Sequence, residues 1–447
     1  MRKIRGVYPP HNKNTALCAA EELPVPAQVH IPMSMSAGKP AKPIVSVGDE
    51  VKVGQLIGEA SGFVSAHVHA SVSGKVKRIN ERDPVTGQKA VSITIDSDGS
   101  QTMYEGLKPP TVTNREEFIE AVRGSGVVGL GGAGFPTAPK LTFKSKLDYI
   151  LINGAECEPF VTSDTRTMVE DTEYVIEGAR LLQKYYEPKE MLVCIEGNKP
   201  EAIAKMTEGL AGDKGIEVYV LPSSYPQGER KVLVYNVTGR IIPEGARLHE
   251  TGCIVSNCTT VAVFAKYIRH GTPLTHKIVT VDGTAVNTPK NVLAPTGTPI
   301  KDLFEFCGGF KEEPKKILMG GTMMGFAVPS LELPVVKITN SVLAFLAKDM
   351  QEPVQTACIK CGRCIRKCPM SLMPSNIETA YELKKAELLE HYKVGMCVEC
   401  GSCAYVCPAK RPLVQVLQLS KNLVWEHKEE KKAAAAKKAE KEAKKDE

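Results

Sequence analysis

No stretch of this 447-residue chain approaches the roughly 18–20 consecutive apolar residues that a membrane span requires. The protein is therefore expected to be soluble or peripheral, with any link to a membrane made through partners. No signal peptide is visible at its start, so a disulfide framework is not expected. Nor is there a strong charge of one sign: 57 Lys and Arg against 51 Asp and Glu leave +6. Glutamates are interleaved among the lysines of the last stretch, HKEEKKAAAAKKAEKEAKKDE. That mixture argues against a nucleic-acid partner. Residues 425–447 read as a solvated helix or a disordered tail. The length allows about three domains at roughly 150 residues each.

Other absences narrow the reading. Cys18, Cys157, Cys194, Cys253, Cys258 and Cys307 have no metal-ligand spacing and are expected as buried or inert thiols in a reduced setting. The remaining eight cysteines form two matching runs, CIKCGRCIRKCP and CVECGSCAYVCP. Each is C-x2-C-x2-C-x3-C-P, the spacing of proteins that carry two 4Fe–4S clusters. Four thiolates must surround one cubane. A tight loop supplies three, and in two-cluster proteins of this spacing the fourth cysteine of each run serves the other cluster. One cluster is thus expected on Cys358, Cys361, Cys364 and Cys407, the other on Cys397, Cys400, Cys403 and Cys368. Pro369 and Pro408 stiffen the exits by fixing φ. Zinc sites use paired C-x2-C motifs rather than triplets with a trailing Cys-Pro. Such a pair of clusters moves single electrons, so the chain belongs on an electron-transfer path. Between the runs, PSNIETAYELKKAELLEHYKVG (374–395) reads as a helical insert opened by Pro374. That favours an all-helical two-cluster domain over a compact βαβ ferredoxin.

Upstream, IVSVGDEVKVGQLIGEASGFVSAHVHASVSGKV (44–76) alternates short β pieces with turns, as in a small β-sandwich. The pattern resembles biotinyl and lipoyl domains, but His67 and His69 stand where such domains carry a modifiable Lys. A swinging arm is therefore not expected. Two histidines without a third ligand are expected as polar surface residues. Residues 115–270 read as α/β: strands at 149–154, 191–198 and 215–222, helices at 115–126, 172–186 and 200–210. Alternation of this kind implies a parallel sheet, with ligands at the C-terminal strand ends. Residues 276–345 read as a β-grasp unit with a short helix at 300–307.

GLGGAGFPTAPK (129–140) lets backbone approach an anion or ring closely, and Lys140 offers a cation. It follows a helix rather than a strand, so the dinucleotide fingerprint is not met. NGAECEP (153–159), YPQGERK (225–231) and IVSNCTTV (254–261) come after it. Taken together and in this order, these motifs resemble the flavin-binding subunit of respiratory complex I and soluble hydrogenase diaphorases. Closer still is the resemblance to the RnfC family of Rnf ion-translocating electron-transport complexes, over about residues 1–424.

The resemblance implies a fold: a degenerate lipoyl-like β-sandwich (1–110), a flavin-binding parallel α/β domain (111–272), a β-grasp domain (273–345), a helical two-cluster ferredoxin-like domain (346–424) and a charged tail (425–447). It implies FMN and nicotinamide against Gly129, Gly131, Gly132, Gly134 and Phe135, with Lys140 near phosphate and Phe143 stacking adenine. Asn153, Glu156 and Glu158 match the family's strand-end Asn and two Glu. Tyr225, Gly228 and Glu229 match its Tyr–Gly–Glu turn, and Asn257 and Thr259 part of its phosphate-side Asn-Asn-Thr. Four positions depart from the pattern: Leu130 for Arg, Ala155 for Asp, Arg230 for Glu and Cys258 for Asn. The implied function is hydride exchange between NAD(H) and FMN, with the clusters relaying single electrons. The implied partners are integral membrane and ferredoxin-type subunits, on the cytoplasmic side of the bacterial inner membrane. The departures keep a rival open, a wiring subunit with a vestigial flavin site. A soluble NADH-linked diaphorase is a third reading.

Overall fold

The computed structural model describes residues 5–82, 90–350 and 354–443; the ends of the expected N-terminal domain and tail, 1–4 and 444–447, lie outside the described residues. The chain forms two compact units. One contains residues 10–223 and 246–351, the other 1–9, 224–245 and 352–447.

In the larger unit a four-stranded parallel sheet runs in the order Ile216–Leu221, Glu190–Glu196, Tyr149–Gly154, Cys253–Asn257. Runs such as YILING and EMLVCIE are apolar on both faces because helices cover both sides, as parallel sheets require. Phe118, Val122, Val175, Leu182, Ala202 and Phe264 from those helices are all buried against Ile150, Ile152 and Val193. The three expected strands and the helices Arg115–Gly124, Thr172–Tyr186 and Pro200–Gly209 fall within a residue or two of the sequence reading. The fourth strand, Cys253–Asn257, and the helix Cys258–His270 complete the layer.

The rest of this unit is β-rich. A four-stranded antiparallel sheet orders Gln28–Pro32, Ala90–Ser97, Gly74–Arg82 and Glu50–Val51, and a three-stranded sheet holds Lys42–Pro43, Leu56–Glu59 and Val68–His69. A six-stranded mixed sheet is built on His276–Asp282, Lys290–Pro295 and Ser341–Phe345, and its edge is Ala20–Glu22, paired with Asn291–Leu293. The N-terminal β region and the 276–345 sheet share one core: Val29, Ile31 and Ile93 pack in the same cluster as Val279, Val292 and Phe304.

His67 and His69 differ from the surface residues expected. His69 is 6% exposed, and no hydrogen-bond partner meets its Nδ1. His67 is half-buried and its Nδ1 accepts from Ala60 N at 3.2 Å. Burial lowers the pKa of both rings. The loop before the Val68–His69 strand packs against the α/β layer, where Lys337 donates to His67 O and to Gly126 O. That contact buries what sequence alone left on a surface.

The smaller unit is helical: Arg230–Thr238, Arg363–Lys367, Pro374–Glu382, Ala386–His391, Ser402–Tyr405 and Leu413–Ala443. The expected insert is two helices, broken at Lys384 with φ 52°. Ile377, Ala380, Leu389, Leu417 and Val424 form its core. Arg411 pairs with the buried Glu378 at 2.9 Å and with Glu382 at 2.9 Å, holding the exit of the second cysteine run to the insert. Of the expected tail, the described part is helix, continuing from Leu413 without a break at 425.

Gly178 lies inside a helix, where Ala ordinarily gains about 1 kcal/mol over Gly. A Cβ there would stand 2.6 Å from Val261 O in the neighbouring helix. Overpacking against backbone costs about 1–3 kcal/mol and outweighs the propensity gain. Gly178→Ala is expected to lower the thermal midpoint by a few degrees in calorimetry; an unchanged or raised midpoint would show that the helices part freely.

Candidate functional site

The two cysteine runs match in backbone as well as sequence. Lys360, Gly362 and Ser371 in the first have positive φ, and so do Glu399, Gly401 and Lys410 at the same offsets in the second. Left-handed Lys and Glu cost on the order of 1 kcal/mol each, offset by turning successive backbone groups toward the sulfurs. Glu399 N donates to Cys397 Sγ at 3.4 Å, and Leu372 N to Cys368 Sγ at 3.3 Å. Hydrogen bonds of this kind tune cluster potentials.

In the smaller unit, cysteines of both runs line one cavity. A cavity of about 620 Å³ is lined by Cys358, Cys361, Cys364 and Cys407. Burial, then the sulfurs of Cys400, Cys397 and Cys368, push the Cys403 thiol well above its ordinary value. Burial raises Cys397 to about 11. Thiols that hold iron must be deprotonated, so assembly of a cluster on them would release protons. Among the described residues, no group of His, Cys, Asp or Glu is gathered tightly round a single ion; the four thiols line a chamber instead. Soft donors round a chamber fit a cubane. Lys360, Arg363, Arg366, Lys367 and Lys410 border the two cavities that meet at Cys407 and would set positive charge beside an anionic cluster there.

In the larger unit, strand order reverses beside Tyr149–Gly154: the next two strands in the chain lie on one side and the last, Cys253–Asn257, on the other. Ligands in open α/β sheets bind at such a switch point, outside the C-terminal strand ends. Asn153 and Asn257 are register partners there. Asn257 caps the following helix, its Oδ1 accepting from Thr260 N at 3.1 Å. Its Nδ2 donates to Asp164 Oδ2 at 2.7 Å, and Thr259 Oγ1 donates to Asp164 Oδ1 at 2.6 Å. The glycine loop is tied to the same helix. Leu130 N donates to Thr260 Oγ1 at 2.9 Å, and Gly129 N closes the loop on Phe135 O at 2.9 Å. At Gly131 a Cβ would stand 2.6 Å from Asn257 Nδ2, so only glycine lets the loop lie this close. Gly134 has φ 66°, Gly132 faces open space and Phe135 is 40% exposed. Lys140 Nζ donates to Val255 O. Gly129, Gly131, Gly132, Gly134, Phe135, Lys140, Asn153, Asn257 and Thr259 are thus one cradle. Asp164 belongs to it too. Its only sequence signal was a position just inside a helix that follows the NGAECEP motif.

The two strand-end acids diverge. Glu156 has φ 46°, and its carboxylate turns back to cap the helix Ser163–Glu170, accepting from Asp164 N at 2.6 Å, Thr165 N at 3.2 Å and Thr165 Oγ1. Burial raises its pKa, while Lys13 opposes the rise. Glu158 points elsewhere: its Oε2 accepts from Met323 N at 3.0 Å and lies against Gly321, on the 320–325 turn. Lys13, which the sequence reading passed over, secures the loop. Its Nζ donates to Glu156 O and Glu158 O at 2.8 Å each, and to Val161 O. Burial lowers its pKa to about 8.

Phe143 is already stacked. His249 lies 4.9 Å from it at 4°, and the Arg115 guanidinium 5.0 Å from its centroid. Tyr225, Gly228 and Glu229 belong to the smaller unit. Tyr225 is 2% exposed, and Glu229 caps the helix Arg230–Thr238 through Lys231 N at 2.8 Å and Val232 N at 3.0 Å. Of the six other cysteines, Cys194, Cys253, Cys258 and Cys307 are buried, Cys157 is half-buried and Cys18 is exposed.

The chain matches four domain families: an RnfC barrel sandwich hybrid domain at 2–100, a Nuo51 FMN-binding domain at 122–266, an SLBB domain at 278–327 and a 4Fe-4S dicluster domain at 353–408. It is 40% identical over 93% of both chains to the C subunit of the proton-translocating ferredoxin:NAD(+) oxidoreductase complex of Clostridium ljungdahlii. It is 37% identical, over 93% of this chain and 95% of the other, to the Na(+)-translocating counterpart of Acetobacterium woodii. The C subunit of an ion-translocating oxidoreductase complex of Rhodobacter capsulatus is 38% identical over 95% of this chain and 84% of its own.

Two outcomes are expected. Cys407→Ala should remove one cluster's worth of iron. Adding Cys358→Ala should then remove little more, whereas adding Cys397→Ala should remove the rest. Iron analysis with the opposite pattern would refute the crossed ligation. Glu156→Gln should weaken a helix cap by about 1 kcal/mol, lowering the thermal midpoint by roughly 2–4 °C. NADH-dependent dye reduction by the folded protein should stay unchanged; a large fall in turnover would return Glu156 to the dinucleotide site.

Proposed function

The chain belongs to the RnfC family of ion-translocating ferredoxin:NAD+ oxidoreductase complexes, and from that premise we propose that it is the NAD(H)-facing peripheral subunit of such a complex. It exchanges a hydride between NAD(H) and FMN and relays single electrons through two 4Fe–4S clusters to or from membrane partners. FMN, when bound, supplies the change from hydride to single-electron chemistry. Asn257, Thr259 and Lys140 hold the flavin phosphate at the start of the Cys258–His270 helix. Gly131 and Gly132 let its body lie against backbone. Glu158, steadied by Met323 N and by Lys13 beneath its loop, orients the nicotinamide end, and Phe135 offers an exposed ring to the adenine. Crossed ligation by Cys407 and Cys368 ties the clusters into one rigid pair, so that their separation does not drift.

We read residues 1–110 as a lipoyl-like domain without its arm, 111–272 as the flavin domain, 273–345 as a β-grasp domain, 346–424 as a two-cluster ferredoxin-like domain and 425–447 as a charged tail. Among the described residues no helix is long and apolar enough to cross a membrane. We read the chain's attachment as running through integral membrane and ferredoxin-type subunits on the cytoplasmic face of the inner membrane.

The observation that carries this reading is the cradle at the switch point, where the glycine loop, Asn153 and Asn257 meet in a chain that also carries two runs of four cysteines. It is tested by anaerobic purification, cofactor analysis and a visible-spectrum NADH titration. One FMN bleached by NADH, beside about eight irons, is expected. Irons without flavin would leave only a wiring subunit. In the same assay Glu158→Gln is expected to lower NADH-dependent dye reduction at least tenfold with flavin and iron contents intact; wild-type turnover would remove Glu158 from the dinucleotide site.

A further inference from the structure

Behind the glycine loop lies a cation that the chemistry above does not use. Lys277, on the strand His276–Asp282, is 3% exposed. Its Nζ donates to Asn340 Oδ1 at 2.6 Å, and among the described residues this is the hydrogen bond its ammonium makes, with no carboxylate in ion-pair range. An ammonium has three N–H groups, and burying it short of partners is costly. Burial lowers its pKa to about 8, against the opposing influence of Asp164 first, then Cys258 and Glu156. Of these groups Asp164 belongs to the cradle, and Cys258 stands in the chain between its Asn257 and Thr259.

A chain of contacts fixes its place. Asn340 Nδ2 donates to Leu130 O at 2.8 Å, in the glycine loop. Leu130 N in turn donates to Thr260 Oγ1, and Thr260 N to the Asn257 side chain. At the far end, Asp164 takes the donors of Asn257 and Thr259. A phosphate at the same helix start meets that carboxylate. A helix N-terminus offers only about half a charge, and with Lys140 about one and a half, against about three on a carboxylate and a phosphate together. A further buried cation, tied to the loop through Asn340, narrows that gap.

We propose that Lys277 supplies the counter-charge for the flavin phosphate, so that the 276–345 sheet contributes a cofactor-binding residue to the cradle. This rests on the FMN reading. It makes Lys277 a selector of FMN over riboflavin, which has the same ring and no phosphate.

The test uses full-length protein stripped of flavin and titrated anaerobically with FMN and with riboflavin, following the quenching of flavin fluorescence. Lys277→Met is expected to weaken FMN by roughly tenfold to a hundredfold, the range for losing a hydrogen bond to a charged group, and to leave riboflavin unchanged. Lys277→Arg should recover most of the FMN affinity and should also steepen its salt dependence relative to Lys277→Met. Exchanging a buried ammonium for Met preserves volume, so the fold is expected to survive; if it does not, Lys277→Gln is read the same way. Equal losses for the two flavins would overturn the proposal and leave Lys277 as a brace for Asn340 and the loop. Unchanged FMN affinity in Lys277→Met would also overturn it, while the flavin reading stood. Wild-type protein that binds neither flavin would overturn both.

Discussion

The reversal of strand order beside Tyr149–Gly154 is the constraint on which the cradle depends. Parallel strands leave their carbonyl ends together, and only where neighbours diverge does a crevice open. Asn153 and Asn257 meet there because the register of two strands makes them partners. The remaining parts follow from that meeting. Asn257 must cap a helix, so its amide is left free to hold Asp164. Gly131 must be small, because it rests on that amide. The loop's position is therefore set by backbone contact with the strand end, more than by its own flexible sequence.

Most of the architecture was legible because burial on both faces writes continuous apolar runs. YILING and GIEVYVLP end in turn or loop residues, and their limits held within a residue or two. CIVSN was opaque as a strand: five residues, two of them polar, look like a loop until the neighbouring strand is known. The insert between the cysteine runs was legible as helix but not as two helices, since Lys384 breaks it through a left-handed φ that no Gly or Pro announces.

The site was legible where chemistry demands a residue type at a spacing, and not where it demands a direction. Eight cysteines at fixed intervals admit few readings. Two glutamates two residues apart do not reveal that one will curl back on its own helix. That outcome turns on φ at Glu156 and on Thr165, nine positions later. Lys13 arrives from a segment more than a hundred residues away and leaves no local trace. His69 was misplaced for the same reason: alternation says which face of a strand a side chain takes, not what will later pack on it.

The edge strand Ala20–Glu22 pairs with Asn291–Leu293. It is therefore made about 270 residues before the strand it needs. At ordinary translation speeds that is a wait of tens of seconds, and the shared core around Ile31 and Val279 stays incomplete throughout. Completion of that core is thus set by when the later strand is made, not by when the earlier one is.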